Sequence, residues 1–225
     1  MKFKVVTGYD GDCPYRDIVE SNLREYCNKW RYDLVARFDG WGESDGVKFW
    51  RKQEMIFDAF SPDCDWLVWL DADCMIMNMG EPLEHLVCGP YDLVVSEQRM
   101  PCEICRIPVF SAGVILFRSC EWAENQVRKW MASETATWRT GRYSQCEQHT
   151  DQEYFCHSFM GAPEVCRRTR LLGAKSVCNF EPQFTDGTFL LHFPGHTPNQ
   201  KADIMRRMVD RVVRPGWWGL PQFAD

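Results

Sequence analysis

The 225-residue sequence contains no run approaching the roughly 18 apolar residues that a membrane-spanning helix needs. Its first residues, MKFKVVTGYDG, turn polar too quickly for a signal peptide and read as a strand opening the fold. The expectation is a soluble, cytoplasmic protein or a catalytic domain cut from a longer chain. Positive charge is also scarce: 26 Lys and Arg stand against 32 Asp and Glu, a formal net charge of -6. That excludes the basic face of a general nucleic-acid binder. Local clusters remain, at Lys48, Arg51 and Lys52 and at Arg167, Arg168 and Arg170, and leave room for a small anionic ligand. There is no low-complexity tract, internal repeat or Gly/Ser-rich linker, so disorder is disfavoured and residues 1–225 read as one domain. A second CxxC is missing too. Cys102-Glu103-Ile104-Cys105 stands alone among 12 cysteines, which weakens both a structural zinc site and a redox pair. The plainer reading is buried or loop thiols in a reducing compartment.

What is present is an alternation of short apolar runs and amphipathic stretches. Strands are expected at 3–6, 32–38, 66–70, 92–97, 112–118, 165–172 and 189–193. Helices are expected at 15–30, 47–59, 121–131, 151–159 and 198–213. This order favours an α/β fold, a central sheet with helices on both faces.

One stretch interrupts the pattern. In DWLVWLDADCMIMN, residues 65–78, an apolar run ends in Asp71-Ala72-Asp73 and then resumes. If Trp66 to Leu70 is a buried central strand, the aspartates lie at its carboxyl end, where ligands bind in open α/β sheets. Residues i and i+2 of an extended segment project to one side, so the two carboxylates can share one hard cation. Oxygen ligands suit Mg²⁺ or Mn²⁺ rather than zinc, and an ion held by few protein groups shares its shell with substrate phosphates. The plainer alternative is a solvated loop after a strand. Against it, the flanking apolar residues require the turn to be tight and anchored.

The segment WLVWLDADCMIMN resembles the metal-binding segment of GT-A fold glycosyltransferases. It is closest to glycosyltransferase family 34, the galactosyl-, mannosyl- and xylosyltransferases, and more distantly resembles the retaining family 8. Further matches follow in order. Thr7-Gly8 resembles the turn that meets the nucleotide, and Phe49-Trp50-Arg51-Lys52 the Trp-x-Lys helix. Ser111 to Ser119, followed by Trp122, resembles the strand beside the donor sugar. Asp151-Gln152 resembles the acidic-amide pair near the reaction centre, and His192-Phe193-Pro194-Gly195 the late His-Phe-x-Gly. The likeness runs over residues 3 to 201.

This resemblance implies a single GT-A domain, Rossmann-like, with a mixed central sheet flanked by helices. Residues 1–100 would form the nucleotide-binding half and residues 101–225 the acceptor and metal-completing half. The activity implied is transfer of a hexose or pentose from a nucleoside-diphosphate sugar to a glycan hydroxyl, with retention. UDP is the favoured carrier, and GDP-mannose serves some relatives. Asp71, Asp73 and His192 would hold Mn²⁺ or Mg²⁺. Thr7, Gly8, Tyr9, Lys52, Asp71, Ala72, Ser111, Ala112, Gly195, His196 and Lys201 would meet the donor. Asp151 and Gln152 would lie at the reaction centre. Loop tryptophans Trp41, Trp138, Trp217 and Trp218 could stack on acceptor sugars.

Three departures stand out. Ser111 replaces the usual Asn. Pro198 stands where a diphosphate-binding lysine is expected, leaving His196 or Lys201 to substitute. The N-terminal anchor of eukaryotic members is missing, which points to a virus-encoded, microbial or otherwise soluble protein. The competing readings are a nucleotide-sugar or glycan-binding module without turnover and a metal-dependent phosphohydrolase. The latter would bring more carboxylates than this motif shows.

Overall fold

The computed structural model describes residues 1–8, 13–37, 45–98, 109–132, 152, 155, 162–179 and 181–214, with the backbone alone for 45–50, 98 and 109. Strand β1 (Phe3–Gly8) leads into helix α1 (Arg16–Trp30), strand β2 (Asp33–Arg37) and helix α2 (Asp45–Ala59). Strands β3 (Trp66–Leu70) and β4 (Cys74–Ile76) follow, then β5 (Leu93–Gln98), β6 (Val109–Arg118) and helix α3 (Glu121–Ala132). The chain continues through helix α4 (Pro163–Arg168), strands β7 (Thr169–Leu172), β8 (Val177–Cys178) and β9 (Leu190–His192), and helix α5 (Pro198–Val209).

The main sheet has the order β2-β1-β3-β6-β5-β7, and β4-β9-β8 form a second, smaller sheet. In the main sheet β6 runs antiparallel to β3 and β5, while β1 pairs parallel with β2 and β3, and β5 with β7. The sheet is therefore mixed, as expected.

Strand β3 explains its own apolar run. All five of its residues are buried. Trp66, Val68 and Leu70 enter one core with α1 and α5, and Leu67 and Trp69 enter the other with α2 and α3. A strand covered on both faces has no polar side, so its sequence does not alternate. Burying each such side chain stabilises by about 1.5–3 kcal/mol, which makes the strand a rigid start for the turn that follows. Beside it, Asn22 of α1 donates to the Ile76 carbonyl (2.9 Å) and accepts from the Ile76 N–H (2.8 Å), tying β4 to the helix.

One expectation is corrected. Residues 165–172 are not one strand: Pro163–Arg168 is helical and only Thr169–Leu172 is extended. Pro163 opens the helix, Glu164 lies in its first turn and Arg167 and Arg168 in its last, matching the helix dipole at both ends. The nearby basic cluster is largely engaged within the fold. Arg168 pairs with Asp92 (2.8 Å), and Arg170 donates to the carbonyls of Leu86 and Cys88. The expected helix at 151–159 lies mostly outside the described residues, although Gln152 and Phe155 are helical. Cys102, Cys105 and the four loop tryptophans also lie outside them. Cys27, Cys64, Cys74, Cys88 and Cys120 are reduced thiols. Among the described residues, no helix is long and apolar enough to cross a membrane.

Candidate active site

The strand ends at Leu70, and Asp71 to Cys74 form a tight turn closed by the Cys74 N–H on the Asp71 carbonyl (2.9 Å). The aspartates thus converge through a turn rather than by alternation along an extended segment. β9 brings His192 to them: Cys74 and His192 are register partners, and the Phe193 N–H donates to the Asp73 carbonyl (3.0 Å).

A bulge supplies the floor. On β5, Ser96 directly follows Val95, but their partners on β6 are Ser111 and Ile115. Residues Ala112 to Val114 therefore leave the β5 ladder, and the Gly113 carbonyl accepts from the Asp71 N–H (2.8 Å). Bulges of this kind redirect a strand next to active sites. Gly113 then lies directly under the His192 ring. A Cβ there would sit 2.3 Å from Cε1 and 2.6 Å from Nε2.

Each acidic group has one oxygen occupied and one turned inward. Asp71 Oδ1 accepts from the buried Trp69 indole (2.6 Å) and pairs with Lys52 (2.9 Å), whose ammonium also donates to the Ala112 carbonyl (3.1 Å). Asp71 Oδ2 faces His192 Nε2 at 3.8 Å. Asp73 Oδ2 is bonded to Lys201 (2.6 Å), and its Oδ1 lies 3.2 Å from the same Nε2. Lys201 reaches Asp73 from the first turn of α5, whose start is fixed by Pro198 and a capping box between Thr197 and Gln200. Pro198, at the expected lysine position, is where the helix begins.

Burial alone would raise the Asp73 carboxyl, but His192 and Lys201 outweigh it and hold Asp73 well below the usual carboxylate range. The unfolded chain, with an ordinary Asp near pH ~3.9, takes up a proton as pH falls through that value while the folded protein does not. The stabilisation is thus complete above about pH 5 and is lost progressively at lower pH. In EDTA, the melting temperature is expected to fall more steeply below about pH 4 for the native protein than for Asp73→Asn. Parallel curves would remove Asp73 as a source of the acid sensitivity.

Asp73, Cys74 and His192 form a buried group whose ligand atoms lie within 4.8 Å of one another. Cys74 is a poor member of it. Burial pushes its thiol well above the ordinary range, the two aspartates push it further, and its Sγ donates to the Gly113 carbonyl. A metal takes the thiolate. Asp71 Oδ2, 3.8 Å from the same Nε2, is an oxygen donor next to that group. Ligands at right angles around Mg²⁺ or Mn²⁺ stand about 3 Å apart, close to the 3.2 Å and 3.8 Å separations found here. The donor set fits a hard divalent ion.

Residues 2–100 match the profile of the galactosyl transferase GMA12/MNN10 family. The structure aligns with a glycosyltransferase involved in glycosylation of the major capsid of PBCV-1, with a TM-score of 0.72, 14% identity, and 92% of this chain and 100% of that one covered. The chain has the GT-A glycosyltransferase fold. A second such protein is the galactosyltransferase LgtC, solved with donor and acceptor sugar analogues: TM-score 0.56, 12% identity, 96% of this chain and 98% of that one. A third is mouse xyloside xylosyltransferase 1, with TM-score 0.51, 9% identity, 87% of this chain and 98% of that one. No curated protein sequence matches. Family profile and fold give the same class of enzyme, a glycosyltransferase.

Within this GT-A fold, Lys52, Asp71, Asp73, Ala112, His192 and Lys201 meet at one place. Ser111 is buried there, its Oγ 3.3 Å from His192 Nδ1. Gln152 Oε1 accepts from the Ala112 N–H (3.1 Å), a structural tie that its sequence context does not announce. Thr7 and Gly8 end β1, whose Val6 is register partner to Trp69. Ala72 packs against Cys13 and Ala36. Gly195, with φ of 78°, and His196 lie on the turn between β9 and α5. Tyr9 and Asp151 lie outside the described residues. Sequence reasoning missed Trp69 as an anchor for Asp71, and it missed Asn179, which contacts His192 Nδ1 at 3.0 Å. Trp69 stands two residues before Asp71, a spacing that points the two side chains the same way in a strand. No local signal marks Asn179.

Proposed function

We propose that the protein is a divalent-metal-dependent glycosyltransferase that moves a hexose or pentose from a UDP-sugar to a glycan hydroxyl, with retention. One observation carries this reading: Asp71 Oδ2 and Asp73 Oδ1 both face His192 Nε2, at 3.8 Å and 3.2 Å, while the other oxygens of both aspartates are held by protein donors. Two carboxylate oxygens turned toward one imidazole nitrogen offer donors to a divalent ion. Mn²⁺ or Mg²⁺ bound there would supply Lewis-acid stabilisation of the diphosphate leaving group.

The protein's own charges fit that role. Asp71 and Asp73 are balanced by Lys52 and Lys201, so a divalent ion leaves the cluster with a surplus of two positive charges. A nucleoside diphosphate carries the complementary charge. Lys201, on the first turn of α5, is the cation placed to turn from Asp73 to a phosphate. Gln152, tied to Ala112, lies beside the site to orient the sugar, and Asp151 is its proposed partner. Thr7 Oγ1 is buried and has no hydrogen-bond partner among the described residues. At the end of β1, it is the group we assign to nucleotide recognition, together with Gly8 and Ala72.

The test is a thermal-shift panel of UDP, GDP and their common sugars, each with Mn²⁺ and with EDTA. A ligand that binds only the native state raises the melting temperature by mass action. A shift with UDP that requires Mn²⁺, followed by glycoside formation from one UDP-sugar, is the expected result. Sugar phosphate as the product would identify a phosphohydrolase, and binding without any product would identify a binding module. Thr7→Val is expected to leave the melting temperature unchanged or higher, because an unpaired buried hydroxyl costs about 1–3 kcal/mol. The same change is expected to weaken nucleotide binding. Undiminished nucleotide affinity would remove Thr7 from the site.

A further inference from the structure

His192 turns Nε2 toward the two aspartates. An imidazole presents a lone pair on one nitrogen only when the other carries the proton. Asn179 follows β8 and bridges the two sheets. Its Nδ2 lies 2.9 Å from the Glu97 carbonyl at the end of β5 and 3.4 Å from Ser96 Oγ. Its Oδ1 lies 3.0 Å from His192 Nδ1. The orientation of a side-chain amide is settled by its network. Reversed, it would set its oxygen 2.9 Å from the Glu97 carbonyl oxygen, two acceptors with no hydrogen between them. The amide nitrogen must therefore face Glu97, and the amide oxygen must face His192. That oxygen can only accept, so Nδ1 must carry a proton. Ser111 Oγ, 3.3 Å from the same nitrogen, is the longer and secondary contact.

We propose that Asn179 is the positioning residue that holds His192 as the Nδ1-protonated tautomer, turning the Nε2 lone pair toward Asp71 and Asp73. The buried amide does this without adding charge to the cluster, which a carboxylate in its place would do. The consequence for metal binding rests on the function proposed above; the tautomer itself does not.

The experiment is long-range proton–nitrogen NMR on protein labelled with ¹⁵N-histidine, at alkaline pH and with or without Mg²⁺, with His192→Gln assigning the resonance. The native protein is expected to show a protonated Nδ1 and an unprotonated Nε2 at His192. A neutral ring protonated at Nε2 overturns the proposal with no variant needed. Asn179→Leu is expected to lose the single tautomer and to weaken Mn²⁺ binding about 10–100-fold, the usual cost of removing a partner that orients a metal ligand. Ser111→Ala is expected to keep the tautomer. Asn179→Asp, which can still accept from Nδ1, is expected to keep it too, at a lower melting temperature because its carboxylate confronts the Glu97 carbonyl. An unchanged tautomer and unchanged Mn²⁺ affinity in a folded Asn179→Leu would sink the idea. The inferred tautomer, lost in Asn179→Leu, in a protein that binds neither Mn²⁺ nor Mg²⁺ even with UDP, would support the positioning role and remove the metal reading.

Discussion

Asp73→Asn is expected to abolish sugar transfer while leaving a protein that still melts cooperatively. The substitution keeps the size of the side chain and its place in the turn, whose closing hydrogen bonds are made by backbone groups. What disappears is the negative charge that Lys201 stabilises. Loss of electrostatic stabilisation aimed at a leaving group costs about 10²–10³ in rate for a single donor, and loss of an ion's main ligand costs at least as much. Lys201 is left without its partner but is about one-sixth exposed, so water can reach it. The stability cost should therefore be about 1–3 kcal/mol, or roughly 2–10 °C for a chain of this size. Transfer assays with saturating Mn²⁺, alongside a melting curve, decide the matter. Near-normal transfer by a folded Asp73→Asn protein would remove the residue from the mechanism.

Gly113→Ala should be nearly as damaging, for a steric reason. The added methyl would stand 2.3–2.8 Å from three atoms of the His192 ring, far inside van der Waals contact. The ring cannot simply step aside, because Nδ1 is held by Asn179 and the neighbouring Phe193 N–H is bonded to the Asp73 carbonyl. Nor can Gly113 retreat easily, since its carbonyl holds the Asp71 N–H. Overpacking of this kind costs about 1–3 kcal/mol, and here the strain falls on a candidate metal ligand. The expected result is a lowered melting temperature and at least a tenfold loss of Mn²⁺ affinity, read as a smaller metal-dependent thermal shift. A folded Gly113→Ala protein with the native shift would show that the ring has another resting place and that its position is not critical.

The elements that carry the site differ in how legible they were. Strand β3 was read to the residue, because a strand buried on both faces writes an unbroken apolar run bounded by polar residues. Helix α1 was nearly as plain: Leu23 and Tyr26 stand out among charged residues, and both are buried. The segment 165–172 was misassigned, since four residues of helix and four of strand do not display a period. The short strands β4 and β8 were invisible for the same reason, although β4 carries the chain out of the aspartate turn and β8 leads to Asn179.

The sequence alone determined the order of strands and helices, the position of Asp71 and Asp73 at a strand end and, through its likeness to a known family, the candidacy of His192. These are local properties: a burial pattern, a turn, a motif. Only the tertiary structure decided that Asn179, His192 and Glu97 form one line of hydrogen bonds, that Lys201 holds Asp73, and that a three-residue bulge brings Gly113 beneath the imidazole. Those facts depend on which strands pair and in what register. Lys201 lies 128 positions from Asp73 and Ser111 lies 81 from His192. Contacts over such separations are set by the packing of two sheets, and a polar side chain that satisfies one of them leaves no periodic trace in the sequence around it.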